Sequence, residues 1–160
     1  DHFQTNYIFV AKLVDFCNQN QKKLIHISTD YVYGNSDLNA KETDVPVHCE
    51  NWYAYTKLLS DGLVQLISND FLIIRCSHKP NPFPYDKVWD VQTSGDTVDK
   101  IAELIIKLIN TNTTGVFNVG TGDKYLKELA PNAEEIEAPI HVPKDTRMNL
   151  DKLNKWLSEN

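Results

Sequence analysis

The chain has 160 residues, 41% of them hydrophobic and 24% charged, with a formal net charge of -6. That length suffices for one compact domain with a real core, and the composition is globular rather than disordered. The acidic balance argues against a nucleic-acid partner, and no apolar run approaches the roughly 20 residues that a membrane span needs.

Cys17, Cys49 and Cys76 are odd in number, widely spaced and in no C-x-x-C pair, as expected of reduced thiols in a cytoplasmic protein. The five histidines show no H-x-x-H or H-E-x-x-H spacing, so no metal site is expected.

Residues 3–18 place Ile8, Ala11, Val14 and Cys17 near a helical repeat, which the polar run from Asn18 to Gln21 ends. Leu24 to Ile27 reads as a short strand buried on both faces. Residues 34–51, rich in Gly, Asn, Asp and Pro, read as a long surface loop, a feature often functional in compact domains. A second helix is expected from Trp52 to about Ile67, and a second strand at Phe71 to Ile74. Three prolines within 78–90 suit a linker or a binding loop. Val98, Ile101, Ala102, Ile105 and Leu108 make a helical stripe over Thr97 to Ile109, with Asp96 or Thr97 as cap. Val116 to Val119 is a third strand, and short helices are expected at 124–130 and 149–158. Alternating helices and strands predict an α/β fold with a parallel sheet covered on both faces.

The first strand runs straight into Ser28, Thr29, Asp30 and Tyr31. Ligands of open α/β sheets bind just beyond the carboxyl ends of strands, so hydroxyls there suit a site. A turn capped by Ser28, Thr29 and Asp30 explains them equally well. Further on, Tyr53 and Lys57 stand four apart at the start of the second helix, so both project from one face. Tyr-x-x-x-Lys alone is a weak signal, since a solvated surface pair has the same spacing.

Together "HISTDYVYGN" and "WYAYTKLLSDGLV" resemble the extended short-chain dehydrogenase/reductase superfamily, and most closely the dTDP-4-dehydrorhamnose reductase family. The resemblance continues through "FLIIRCS", "DTVDKIAELIIKLI", "GVFNVGTG" and "DTRMNLDKLNKWL". Related 4,6-dehydratases usually carry an acidic residue where this chain has Tyr31, which disfavours that branch. The implied fold is the C-terminal part of a doubly wound parallel-sheet, Rossmann-like dinucleotide-binding domain plus a small substrate-binding portion. Residues 1–77 would be the second half of the former, and residues 78–160 a shortened version of the latter with elements packing back on the core.

The resemblance implies NADPH- or NADH-dependent reduction of a 4-keto nucleotide sugar, in carbohydrate biosynthesis. Tyr53 would be the proton donor, Thr29 the carbonyl anchor, and Lys57 both a pKa-lowering neighbour of Tyr53 and a grip on the nicotinamide ribose. Tyr55 is a rival tyrosine, but no lysine follows it by four. Tyr53, Lys57, Ser28 and Asn6 would meet the cofactor, although Asn6 could equally be a plain polar helix residue. Thr29, Asp30, Tyr31 and Arg75 would meet the substrate, with an ion pair as the other reading of Arg75. An epimerase or dehydratase would use the same Tyr and Lys, and a non-catalytic regulatory or binding subunit would keep the fold without turnover.

The glycine-rich turn that approaches a dinucleotide pyrophosphate is not found. "VFNVGTGDKY" offers Gly120 and Gly122 after a strand, but Tyr125 stands where the third glycine belongs. The chain therefore looks like the C-terminal portion of a longer protein. By itself it is expected to bind NAD(P)H weakly or not at all, and to associate, a homodimer among the options.

Overall fold

A computed structural model describes residues 1–34, 39–44 and 51–160. A π-helical turn, Gln4–Ile8, leads into helix α1 (Phe9–Gln19), strand β1 (Leu24–Thr29) and a 3-10 turn, Asp30–Tyr33. Helix α2 (Trp52–Ile67) and strand β2 (Phe71–Cys76) follow, then the short strands β3 (His78–Lys79), β4 (Lys87–Trp89), β5 (Gln92–Thr93) and β6 (Asp96–Thr97). The remainder is α3 (Val98–Asn110), β7 (Gly115–Val119), β8 (Lys124–Tyr125), α4 (Leu126–Leu129), β9 (Glu134–Ile136), β10 (Asp145–Thr146) and α5 (Asp151–Glu159). Of the loop expected at 34–51, residues 35–38 and 45–50, with Cys49, lie outside the described residues.

The central sheet is parallel, in the order β1-β2-β7, with Leu24 opposite Phe71 and Leu72 opposite Gly115. Strand β2 lies in the middle and needs cover on both faces, which is why its sequence is apolar without alternation. Leu72, Ile74 and Cys76 pack with Ile101 and Leu108 of α3 and Leu153 of α5. Ile73 points the other way, among Val10, Val14 and Cys17 of α1 and Val64 of α2. The result is the helix–sheet–helix sandwich of the expected α/β class. Each of the three fully buried side chains Leu72, Ile73 and Ile74 stabilises it by roughly 1.5–3 kcal/mol.

Three details differ from the sequence reading. The first helix opens with a π turn, from which the Asn6 amide donates 3.1 Å to the Thr56 hydroxyl on α2. Strand β2 continues through Arg75 and Cys76, because β1 and β7 supply partners to its end. Thr97 is the N-cap of α3 without a side-chain cap bond, while Asp96 accepts from the Thr97 N–H and pairs with Lys100.

Residues 78–160 divide between two places. Helices α3 and α5 and strand β7 belong to the central sandwich. Val88, Val91, Leu126, Ala130, Ala133, Ala138 and Val142 form a smaller cluster of their own, against which Tyr31 packs. The 3-10 turn after β1 is thus held between the two bodies, and the polar strand end sits at their junction. Among the described residues no helix is long and apolar enough to cross a membrane, and no group of three His, Cys, Asp or Glu is placed to hold a metal.

Candidate active site

A cavity of about 320 Å3 opens beyond the carboxyl ends of β1 and β2. Strand β1 and the turn after it supply Ile27, Ser28, Thr29, Asp30 and Tyr31, α2 supplies Tyr53, and the end of β2 with β3 supplies Cys76, Ser77, His78 and Lys79. The local reasons are plain. Thr29 caps the 3-10 turn by accepting the Tyr31 N–H at 3.2 Å, which halts the strand and turns its hydroxyl-bearing end toward the opening. Asn51 caps α2 by accepting the Ala54 N–H at 2.6 Å, so Tyr53 lies in the first turn of that helix.

The Tyr53 ring stands edge-on to Tyr31 at 6.3 Å and to His2 at 5.7 Å, with 37% of the residue exposed. Burial raises its phenol above the ordinary value of 10.0, a hydrogen bond from Thr29 lowers it, and Asp30 and Cys76 raise it again. The expected lowering of Tyr53 by Lys57 is therefore absent, and the phenol is raised on balance. The reason is where the ammonium goes. Lys57 Nζ donates to the Ile27 carbonyl of β1 at 2.5 Å, just behind the cavity wall. Burial lowers the Lys57 pKa, while Asp61 and Cys76 oppose that. Tyr55 turns away, exposed and stacked on Trp52 at 5.8 Å.

Of the other expected site residues, Asp30 and Tyr31 line the cavity beside Thr29, as does Ser28, although the Ser28 hydroxyl is fully buried on the Asp61 side of the strand. Burial and the Asp30 charge push the Tyr31 phenol up to about 12. Asn6 lies one layer back, since the Thr56 hydroxyl it reaches in turn donates to the Tyr53 carbonyl at 3.0 Å. Arg75 does not line the cavity. It is buried beneath α2, with Nε on Asp61 at 2.9 Å, an Nη1 bond of 2.6 Å to the Tyr33 hydroxyl, and its plane over the Tyr33 ring.

Two features escaped the sequence. Asp30 is 1% exposed and takes hydrogen bonds from Thr29 at 3.2 Å and from Thr93 of β5 at 3.4 Å. Burial raises its carboxyl, against the lowering effects of Thr146, Lys79 and these threonines. Asp61 follows Lys57 by one turn on α2 and meets His26 Nε2 at 3.3 Å as well as Arg75. Burial raises its carboxyl too, but the bond from His26 and the Arg75 charge outweigh that and hold it below the ordinary value. An ion pair was the other sequence reading of Arg75, but nothing in the sequence named Asp61 as its partner.

Residues 1–78 match the family model of the RmlD substrate binding domain. The fold matches the crystal structure of a hypothetical dTDP-4-dehydrorhamnose reductase from Sulfolobus tokodaii with a TM-score of 0.80 and 24% identity, over 98% of this chain and 66% of that one. The resemblance read from the sequence is borne out. The chain also matches the dTDP-4-dehydrorhamnose reductase of Bacillus anthracis in complex with NADP, with a TM-score of 0.76 and 20% identity over 96% of this chain and 66% of that one. A UDP-glucuronic acid 4-epimerase of Bacillus cereus in complex with NAD shares the fold with a TM-score of 0.68 and 17% identity, over 94% of this chain and 60% of that one. The chain thus spans just under two thirds of the length of these structures. No curated protein matches it in sequence.

Proposed function

We propose that this cavity receives the keto oxygen of a nucleotide-activated 4-keto sugar, and that its residues serve an NADPH- or NADH-dependent reduction. One observation carries the reading: the Thr29 and Tyr53 hydroxyls line one cavity, with the Lys57 ammonium seated just behind it. The relatives' folds with NADP or NAD bound support the choice of cofactor.

The donors suit the ribose of a nicotinamide nucleotide. Lys57 uses one N–H on Ile27, which leaves two for ribose hydroxyls, and the half-buried Tyr53 phenol can share them. Ser28, its hydroxyl buried, would meet the same ligand only through its backbone, and Asn6 would steady the first turn of α2 through Thr56. A bound reduced nicotinamide supplies a hydride for the carbonyl carbon.

The protein's own contribution is to the oxygen. On substrate binding Thr29 would turn its single hydroxyl proton from Asp30 to the carbonyl oxygen and hold that oxygen within reach of Tyr53. As negative charge develops there, Tyr53 passes over its phenolic proton, while the Lys57 ammonium, held on the Ile27 carbonyl, serves the cofactor's ribose. Burial that raises the phenol keeps it protonated near neutrality, the state a donor needs. Asp30 and Tyr31 would meet hydroxyls of the sugar, while Arg75 would act by holding Asp61 and Tyr33. The free, buried thiols of Cys17 and Cys76 suit a cytoplasmic setting.

The test is consumption of NADPH or NADH by the full-length protein with a dTDP-linked 4-keto-6-deoxysugar, with the matching alcohol as product. Oxidised nucleotide retained through purification, together with inversion of a hydroxyl and no net consumption, would select the epimerase reading that the Bacillus cereus fold supports. Neither activity, with a stoichiometric protein partner, would overturn both in favour of a binding subunit.

A further inference from the structure

Thr29 has one hydroxyl proton, and more than one oxygen competes for it. A hydroxyl offers one donor hydrogen and two lone pairs. The Tyr31 N–H occupies one Thr29 lone pair at 3.2 Å, in the cap that ends β1. The proton itself lies toward Asp30 Oδ1, also at 3.2 Å, and the Tyr53 phenol draws on it from the cavity side. While a carboxylate at Asp30 keeps that proton, an arriving ketone oxygen meets only a lone pair of Thr29. The carbonyl contact therefore depends on what Asp30 does.

The cage around Asp30 is poor in donors. Strand β5 brings Thr93, whose hydroxyl accepts the Gly95 N–H at 3.0 Å and reaches Asp30 Oδ2 only at 3.4 Å. Strand β10 brings Thr146, whose proton is drawn to the Gln92 carbonyl at 3.3 Å. Strand β3 brings Lys79, which acts on Asp30 at longer range. Burial keeps Cys76 at the end of β2, Tyr53 on α2 and the adjacent Tyr31 neutral, and a charge on Asp30 reinforces that at all three. A buried anion here would lean on the Thr29 proton. The acid form brings a proton of its own.

We infer that Asp30 works as a carboxylic acid, donating to the second Thr29 lone pair and so turning the Thr29 proton toward the substrate carbonyl. The hydrogen bonds then close: Thr29 accepts from Tyr31 and Asp30 and donates to the ketone, while Asp30 accepts from Thr93. Burial, which raises the Asp30 carboxyl above its ordinary value, favours the same form. Ionised Asp30 takes the proton back and leaves the carbonyl without its donor. Asp30 is thus a positioning residue that acts through Thr29, beyond any contact it makes with the sugar. Its consequence for catalysis rests on the reductase reading, but its proton can be followed without turnover.

Two measurements on the full-length protein test it. Carbon-13 NMR of the aspartate carboxyls, with Asp30 assigned by its loss in Asp30→Asn, should show Asp30 titrating above 3.8. An Asp30 that ionises at or below that value overturns the inference, whether or not the protein turns over. The second is the pH profile of kcat/KM for NADPH-dependent reduction of a 4-keto nucleotide sugar, which reports the free protein's groups. It should fall in two steps as pH rises, the first at the Asp30 value found by NMR and the second at the phenol. Asp30→Asn, whose amide N–H donates to Thr29 at every pH, should lose the first step and keep the second. Thr93→Val, which removes a donor to the anion, should move the first step to higher pH. Asp30→Ala should lower kcat/KM on the acid side by about 10–10²-fold with little change in the KM for NADPH. Circular dichroism checks that each variant folds. A single step in the wild type, or a first step that survives in Asp30→Asn, overturns the inference. A wild type that reduces no such sugar removes the reductase reading instead, and the NMR titration then decides the state of Asp30 by itself.

Discussion

Asp30 and Asp61 make an instructive pair. Both are fully buried, and burial pushes both carboxyls up. Asp61 nonetheless ends below its ordinary value, because Arg75 and His26 touch it directly. Asp30 ends above its ordinary value, because its direct partners are threonine hydroxyls and its one cation, Lys79, acts at longer range. Burial has the same sign at both; the partner decides the outcome. The ion pair under α2 serves to hold the helix that carries Tyr53 and Lys57, whereas the threonine cage leaves a carboxyl of altered acidity on the cavity wall.

The largest expected effect comes from breaking the first of these. Asp61→Ala leaves the Arg75 guanidinium buried without its carboxylate, and should lower unfolding free energy in urea by about 3–5 kcal/mol. An Asp61→Leu/Arg75→Met double variant should recover most of that loss, since it removes both charges. A loss under about 1 kcal/mol for Asp61→Ala would abolish the contrast.

Acid titration separates the two carboxyls by sign. Asp61 has a folded pKa below its unfolded value near 3.8, so its contribution is complete above that value and lost as pH falls through the folded one. Asp30 has a folded pKa above 3.8, so it favours the unfolded chain at higher pH, and that penalty fades as pH falls toward 3.8. Stability against urea should therefore fall below about pH 4 in the wild type, and that fall should be reduced in the Asp61→Leu/Arg75→Met variant.

The smallest effect is expected at Asp30. Asp30→Asn removes the buried charge but keeps an acceptor for Thr29 and Thr93, so a thermal melt at neutral pH should move by no more than about 1 kcal/mol equivalent, and upward if at all. A loss above about 2 kcal/mol would mean the cage stabilises the anion after all.

What was legible in the sequence follows the range of the physics involved. Strands β1, β2 and β7 and helices α1, α2 and α3 announce themselves through local periodicity, and the sandwich follows from their order. The candidate site was half legible for a similar reason. Thr29 ends a strand and Tyr53 and Lys57 share a helix face, but only the family resemblance joined them in one site. The cage around Asp30 draws on Thr93 and Thr146, from strands of two residues, too short to show any period. Arg75 finds Asp61 because β2 lies under α2, and no spacing rule foretells which carboxylate a buried guanidinium meets. Lys57 was expected to act on Tyr53, but the Ile27 carbonyl competes for its ammonium, and backbone acceptors carry no mark in a sequence.

The central claim is that the Tyr53 phenol, sharing a cavity with Thr29, delivers the proton. Single-turnover oxidation of NADPH by the full-length protein, with a 4-keto nucleotide sugar in excess, tests it most directly. Tyr53→Phe should slow that turnover by about 10²–10⁴-fold while nucleotide affinity changes little. Turnover by Tyr53→Phe within about twofold of the wild type would contradict the account.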